Sequence, residues 1–243
     1  MLFGLFMGDW TILILLPAMI FAIIAQARVQ STFNKYSKTR TFSGLDGASA
    51  ARMILDKNGL YNVKIERVHG HLTDHYDPRA NVIRLSDSTY SSDSAAAIGV
   101  AAHEAGHAVQ HAVGYFPIKL RMAIIPITRF GSALAMPLFL IGMLLTAFSY
   151  NSGIGEIFML LGILFFSFST LFQLVTLPTE FNASSRAMEA LRGSGRLGSQ
   201  DLSAARQVLS AAAMTYVAAL ATSLAYLLRF ILIFMSASGR RRN

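Results

Sequence analysis

The stretch Ala101-Ala102-His103-Glu104-Ala105-Gly106-His107-Ala108 decides the fold, because it sets a metal-binding pattern into a helix. Residues four apart project from one face of a helix, so His103 and His107 can bind a single metal ion. Glu104 can then reach a water on that metal and act as its general base. The small residues around the motif let another element approach closely. The stretch therefore predicts a hydrolytic Zn²⁺ site that needs a third protein ligand from elsewhere in the chain.

The motif lies in a polar region, residues 28–121, which we interpret as a small cytoplasmic zincin-like domain. Ser91, Ser92 and Asp93 are N-cap candidates for the motif helix, which we expect to end near residue 113. An earlier short helix is predicted over 46–57, where Gly59 closes it. The polar region thus supplies the helix that carries the metal motif.

A short sheet is expected before the motif helix. Alternating residues over 61–68 predict a strand, and 72–76 and 81–85 predict a hairpin around Asp77-Pro78. If 81–85 is an edge strand beside the metal, it can bind an extended peptide by strand addition. The alternative is an ordinary hairpin strand with no binding role.

The composition outside this region indicates a membrane protein. The chain is 53% hydrophobic and only 14% charged, with mean hydropathy +0.48, whereas a soluble domain is about 25% charged. It has no cysteine, which excludes disulfides and a thiolate metal site. The net charge of +8 occurs without any nucleic-acid-binding motif, so we expect no nucleic-acid partner. We expect membrane lipid to surround the apolar segments.

Residues 1–27 predict an N-terminal membrane anchor, since 10–27 form an uncharged apolar run. A cleaved signal peptide is the alternative, although no basic residue precedes the run. The basic residues follow it, and the positive-inside rule then places the N-terminus outside and the polar region in the cytoplasm. These flanking residues are Arg28, Lys35, Lys38 and Arg40.

Residues 122–177 predict a transmembrane hairpin built from apolar segments at 131–150 and 157–177. Pro178 is expected to end the second segment and to start a helix within 178–200, which continues into a polar linker. Residues 201–243 form a C-terminal apolar helix. The sequence leaves open whether this helix crosses the membrane. A full crossing would place Arg240–Arg242 outside the cell, against the positive-inside rule. We therefore expect three or four membrane helices.

Glu180 is the predicted third metal ligand, because the hairpin leaves the motif helix and returns the chain beside it. Glu156 lies in the opposite loop and is excluded, whereas Glu189 would have to swing back. Some carboxylates before the motif helix remain alternatives. These are Glu66, Asp74, Asp77, Asp87 and Asp93.

Three segments resemble the YugP-like neutral zinc metallopeptidases of bacterial membranes, a gluzincin-type family distantly similar to HtpX-type peptidases. The segments are Leu72–Pro78, Ala102–Gln110 and Leu177–Ser184. The resemblance covers nearly the whole chain and implies a multi-pass protein of the bacterial plasma (inner) membrane. It also implies that Glu180 occupies the third-ligand position. The HtpX-type group often has Asp four residues after this Glu; Ser184 stands there instead and can hydrogen-bond a ligand histidine.

The oxyanion of the reaction needs a hydrogen-bond donor, and the candidates are His75, Tyr76, Arg186 and Tyr216. Three of them have a simpler interpretation: local turn bonding for His75, a membrane-flank charge for Arg186 and packing for Tyr216. None of these residue types is by itself diagnostic of catalysis.

The expected molecule is an α+β, mostly helical integral membrane protein and a zinc-dependent endopeptidase. Its partners would be membrane lipid and peptide or protein substrates, unfolded or membrane-associated, and an oligomer or partner subunits stay open. One alternative is a catalytically silent scaffold or binding protein with a stabilising zinc site. Another is a zinc hydrolase that acts on a lipid or other non-peptide bond near the bilayer.

Overall fold

The computed structural model describes residues 10–148 and 153–239, and this part of the chain is mostly helical with one small sheet. A 3₁₀ turn, Trp10–Ile14, runs directly into the first helix. The α+β, mostly helical fold class is thereby confirmed. The described elements, in chain order, are α1 Leu15–Tyr36, α2 Gly47–Lys57, β1 Lys64–Val68, β2 His75–Asp77, β3 Val82–Ser86, α3 Ala95–Ala112, α4 Phe116–Phe148, α5 Gly153–Gly193 and α6 Ser199–Gly239.

The sheet has the strand order β1-β3-β2, in which β3 is central. It pairs in parallel with β1, with Lys64 opposite Val82, and antiparallel with β2, with His75 opposite Arg84. The predicted hairpin is therefore present. The expectation that 81–85 forms an edge strand is wrong, because β1 occupies its second edge. The backbone N–H and C=O groups of β3 already pair with β1 on one side and with β2 on the other, so a peptide strand cannot be added there.

Side-chain caps fix the starts of α2 and α3. Asp46 accepts a hydrogen bond from Ser49 N, and Gly59, with φ of +72°, follows the end of α2 as expected. Ser94 caps α3 by accepting from Ala97 N. The predicted caps at 91–93 are therefore wrong by one to three residues. Ser94 also forms a backbone bridge with Arg40, which holds it in the extended conformation that an N-cap needs.

The sheet-containing unit comprises residues 24–119 and 177–216. Its core joins α2, α3 and the sheet to the parts of α5 and α6 that belong to this unit. Many core residues are alanines, and Ala101, Ala102 and Ala105 on α3 are fully buried. Small side chains on α3 bring neighbouring backbones close, which the sequence predicted around the motif.

The apolar unit comprises the described parts of residues 1–23, 120–176 and 217–243. Phe139, Met159 and Phe230 form its buried cluster. Gly162 packs against α4, and a Cβ added there would lie 2.8 Å from Phe139 N. Arg229, which is costly in lipid when unpaired, donates from Nε to Thr11 Oγ1 at 3.3 Å. The Arg240–Arg242 segment lies outside the described residues.

Four described helices are long and apolar enough to cross a membrane. They are Trp10–Tyr36, Phe116–Phe148, Gly153–Gly193 and Ser199–Ser238, so the C-terminal segment is of membrane length. The expectation that Pro178 ends a helix is wrong, since α5 continues through it. A proline removes one helical hydrogen bond. The turns that follow are held by packing, because Thr179, Glu180 and Ala183 are all buried.

Candidate metal centre

The metal motif lies in the second half of α3, as the sequence predicted. Its two imidazoles project from one helix face with their ring centroids 4.7 Å apart. The side chains of His103 and His107 are 14% and 12% exposed. The pair therefore lies at a partly enclosed site rather than on a solvated helix surface.

A close contact between α3 and α5 brings a carboxylate to the imidazoles. A Cβ added to Gly106 would lie 2.6 Å from the backbone oxygen of Ala183, so only glycine fits this helix crossing. Glu180 lies one turn before Ala183 on α5. The crossing therefore carries its carboxylate towards the histidine face of α3.

Glu180 meets both histidines. Its Oε2 lies 3.2 Å from His103 Nε2 and 3.4 Å from His107 Nε2, and the side chain is almost fully buried. The three ligand atoms lie within 4.8 Å of one another, so the group could hold a metal ion. Two imidazole nitrogens and one carboxylate oxygen form the donor set of catalytic zinc sites, which keep a further position open. The residues present fit zinc.

Each imidazole is oriented through its other nitrogen. His103 Nδ1 lies 3.1 Å from Ser184 Oγ, the hydroxyl that the sequence proposed for this role. His107 Nδ1 lies 3.0 Å from Gln110 Oε1, which accepts the ring N–H. A proton held on Nδ1 leaves Nε2 with a lone pair, and Nε2 is the atom that faces Glu180.

Gln110 is a residue of the site to which the sequence analysis gave no role. It is fully buried, and its Nε2 donates to Thr179 O at 2.8 Å and to Asn182 Oδ1 at 3.0 Å. It therefore ties α3 to α5 on both sides of Glu180. Its position three residues after His107, on the same helix face, was the available signal.

The electrostatics of the site favour a cation. Burial lowers the pKa of His107, but its hydrogen bond to Glu180 and the negative charge of Glu104 raise it more, and the net pKa lies above the usual value. Glu104 is 8% exposed and accepts no hydrogen bond from any residue within 10–148 or 153–239. The charges of Glu104 and Glu180 thus both act on the partly buried His107 imidazole.

The alternative carboxylates for the third ligand are engaged elsewhere. Asp77 pairs with Arg84 at 3.0 Å, and Asp74 accepts hydrogen bonds from Ser86. Hydrogen bonds, from Ala80 N first and then from Arg84, lower the pKa of Asp77. The remaining pairs are Glu66 with Arg84, Asp87 with Arg67 and Asp93 with Arg40.

The candidate oxyanion donors are not all brought to the triad. His75 is exposed and its Nδ1 lies 2.9 Å from Thr73 O, a local contact. Arg186 is half-buried and donates from Nε to Asn182 Oδ1 at 2.8 Å. Tyr216 is half-buried on α6, and Tyr76 OH lies 3.4 Å from His111 Nδ1. Burial, and then the charge of Asp77, raise the pKa of Tyr76. The oxyanion role of each stays a prediction.

Comparisons with known proteins agree with this geometry. Residues 11–235 match the family described as "Putative neutral zinc metallopeptidase". The chain is also 50% identical over 219 residues to a "Putative membrane protease YugP" of Bacillus subtilis (strain 168). That alignment covers 90% of this chain and 93% of the relative. No solved structure matched the chain.

Proposed function

Because this chain belongs to the putative neutral zinc metallopeptidase family, whose cofactor is zinc, we propose that it is a membrane-embedded endopeptidase. In this proposal His103, His107 and Glu180 hold Zn²⁺, and Glu104 is the general base. The observation that carries the proposal is the convergence of those three side chains from two helices onto one point. A family of this kind implies peptide or protein substrates.

Zinc bound there would polarise the scissile carbonyl and lower the pKa of a nearby water. Peptide hydrolysis adds water across the C–N bond, so one proton must leave the water and reach the departing nitrogen. Glu104 accepts that proton as the C–O bond forms and delivers it to the amine as the C–N bond breaks. Its carboxylate is suited to both steps because no described residue donates a hydrogen bond to it.

The residues around Glu104 hold the reaction geometry. Ser184 and Gln110 keep the two Nδ1 atoms engaged, which fixes both rings. Gln110 also bonds to Thr179 and Asn182 and so fixes the turn of α5 that presents Glu180. His75, Tyr76, Arg186 and Tyr216 remain the candidates for the oxyanion donor.

The experiment that tests the proposal compares Glu104→Gln with wild type in zinc content and in digestion of unfolded and membrane proteins. We expect zinc to stay bound and hydrolysis to fall by about 10²-fold or more. Glu66→Gln is the matched control, since Glu66 is an exposed carboxylate on β1. A Glu104→Gln protein with unchanged hydrolysis would overturn the assignment. Zinc binding with no hydrolysis by wild type would favour the silent scaffold.

We also propose that the protein is multi-pass in the bacterial plasma membrane, with a zincin-like domain and its metal centre facing the cytoplasm. The support comes from four helices of membrane length and the basic residues after the first. The chain lacks cysteine, so Arg40→Cys adds a single thiol at an exposed position. An impermeant maleimide should label it in cells only after permeabilisation, and should label Gly153→Cys in intact cells. The reverse pattern would place the metal centre outside.

A further inference from the structure

A groove of about 990 Å³ lies beside the metal centre, within the sheet-containing unit. Its walls come from α1, α5 and α6. Ser184 lines it, and the same hydroxyl lies 3.1 Å from His103 Nδ1. Phe181, the neighbour of Glu180 in the chain, lines it too and is 46% exposed. The groove therefore reaches the residues next to two of the proposed ligands.

The groove carries an excess of positive charge. Arg28, Arg192 and Arg206 line it, and all three are exposed. None of them makes an ion pair or a side-chain hydrogen bond with another residue in the described part of the chain. Among the described residues of the lining, Glu189 is the one carboxylate, against three guanidinium groups. Unpaired guanidinium groups are suited to bind carboxylates through two parallel hydrogen bonds.

The lining also sets a distance. Arg192 follows Ser184 by eight residues on α5, which is about 12 Å along a helix. An extended peptide covers that distance in about three to four residues. Arg206 lies seven residues after the start of α6, about 10 Å along that helix. The spacing of about 12 Å therefore applies to Arg192, and Arg206 lines the groove from α6.

We propose that this groove binds the substrate polypeptide and selects an acidic side chain about three to four residues from the part of the peptide that lies beside Ser184. The inference rests on the proposed peptidase function. The lining also includes the apolar side chains of Phe181, Met188 and Met214. A polypeptide can use this apolar stretch together with the charges. The lining also includes Thr32, Gln207 and Ser210, whose polar groups can bond a peptide backbone but not an acyl chain, and this favours a peptide.

Peptide binding, rather than cleavage, tests the inference. The probe is a fluorescein-labelled, unfolded peptide of Gly, Ala, Ser and Leu with one central Glu, and its partner carries Gln instead. Both are titrated onto full-length, zinc-loaded Glu104→Gln protein in phosphatidylcholine nanodiscs. We expect the Glu peptide to bind about five- to tenfold more tightly. Arg192→Gln with Arg206→Gln should remove this difference.

Arg196→Gln is the matched control, because Arg196 is exposed and lies outside this groove. It should keep the preference. Replacement of both Arg192 and Arg206 by Glu should make the protein prefer a peptide with a central Lys. Unfolding of the variant would abolish binding and would not reverse the preference. Zinc content of each variant checks that the protein remains folded.

Equal binding of the Glu and Gln peptides by the unmutated groove would overturn the inference. So would an arginine-dependent response to added phosphatidylglycerol with no response to peptide charge, since the groove would then be a lipid site. Charge-selective binding by a protein that hydrolyses nothing would support the groove and overturn the proposed function. Hydrolysis without charge selection would do the opposite.

Discussion

The sheet-containing unit and the apolar unit differ in what the first buries around the metal centre and what the second exposes. Around the metal centre, small residues and bonded polar groups are buried, as Ala105, Gln110 and Glu180 show. In the apolar unit, large apolar side chains such as Ile157 and Leu164 are more than half exposed. Water cannot account for that outward pattern, whereas lipid can. The metal centre thus depends on buried polar groups held by hydrogen bonds, whereas the apolar unit directs large apolar side chains outward.

The largest effect is expected from a glycine-to-alanine substitution at a helix contact, which we compare between the two units. A Cβ at Gly106 meets the Ala183 carbonyl at 2.6 Å, so Gly106→Ala must separate α3 from α5. We expect zinc affinity to fall by about 10²-fold, measured by competition with a chelator. Gly162→Ala should instead cost about 1–3 kcal/mol of stability while the folded protein keeps its zinc.

Gly153→Ala is the control for both, because nothing lies within 4 Å of the added Cβ. It should change neither zinc affinity nor the unfolding midpoint. If Gly106→Ala bound zinc as wild type does, the close contact of α3 and α5 would not be what positions Glu180.

The second prediction compares the two residues that orient the histidines. Gln110→Ala removes an acceptor from His107 and leaves two bonds to α5 unmade, whereas Ser184→Ala removes one contact to His103. We expect zinc affinity to fall by about 10–100-fold for each, with Gln110→Ala at the upper end. Gln110→Ala should also cost about 1–3 kcal/mol of stability. Equal stability losses in the two variants would contradict the bridging role of Gln110.

The smallest effect is expected inside the apolar unit. Thr170 Oγ1 and Ser223 Oγ lie 2.8 Å apart and join α5 to α6. A double-mutant cycle with Thr170→Val and Ser223→Ala should give a coupling of about 0.6 kcal/mol, measured by unfolding in mixed micelles. Zinc affinity should not change. A coupling energy as large as the stability loss expected for Gln110→Ala would contradict the view that buried hydrogen bonds matter more around the metal centre than in the apolar unit.

The features that the sequence predicted well are local or periodic. The motif helix, the short helix over 46–57 with Gly59 after its end, and the apolar segments follow from spacing and composition, which need no tertiary contact. Glu180 is a different case. The hairpin argument expected it beside the imidazoles, and the structure places it there; its ligand role remains a proposal.

The features that the sequence failed to give depend on contacts between distant segments. The edge position expected for 81–85 failed because a strand that precedes it by eighteen residues takes its second edge. Pro178 has a strong local preference to end a helix, but burial of the residues after it prevails. Gln110 looks like any polar helix residue until Thr179 and Asn182 are placed against it.

The crossing at Gly106 also limits how the protein can evolve. Every replacement for glycine adds a Cβ, and the obstacle it meets is a main-chain oxygen of Ala183. Truncation of a neighbouring side chain often rescues a crowded position, but no substitution at 183 removes a carbonyl. Second-site suppressors of a change at 106 should therefore be rare, and lineages that lose this glycine should lose the zinc ligands as well.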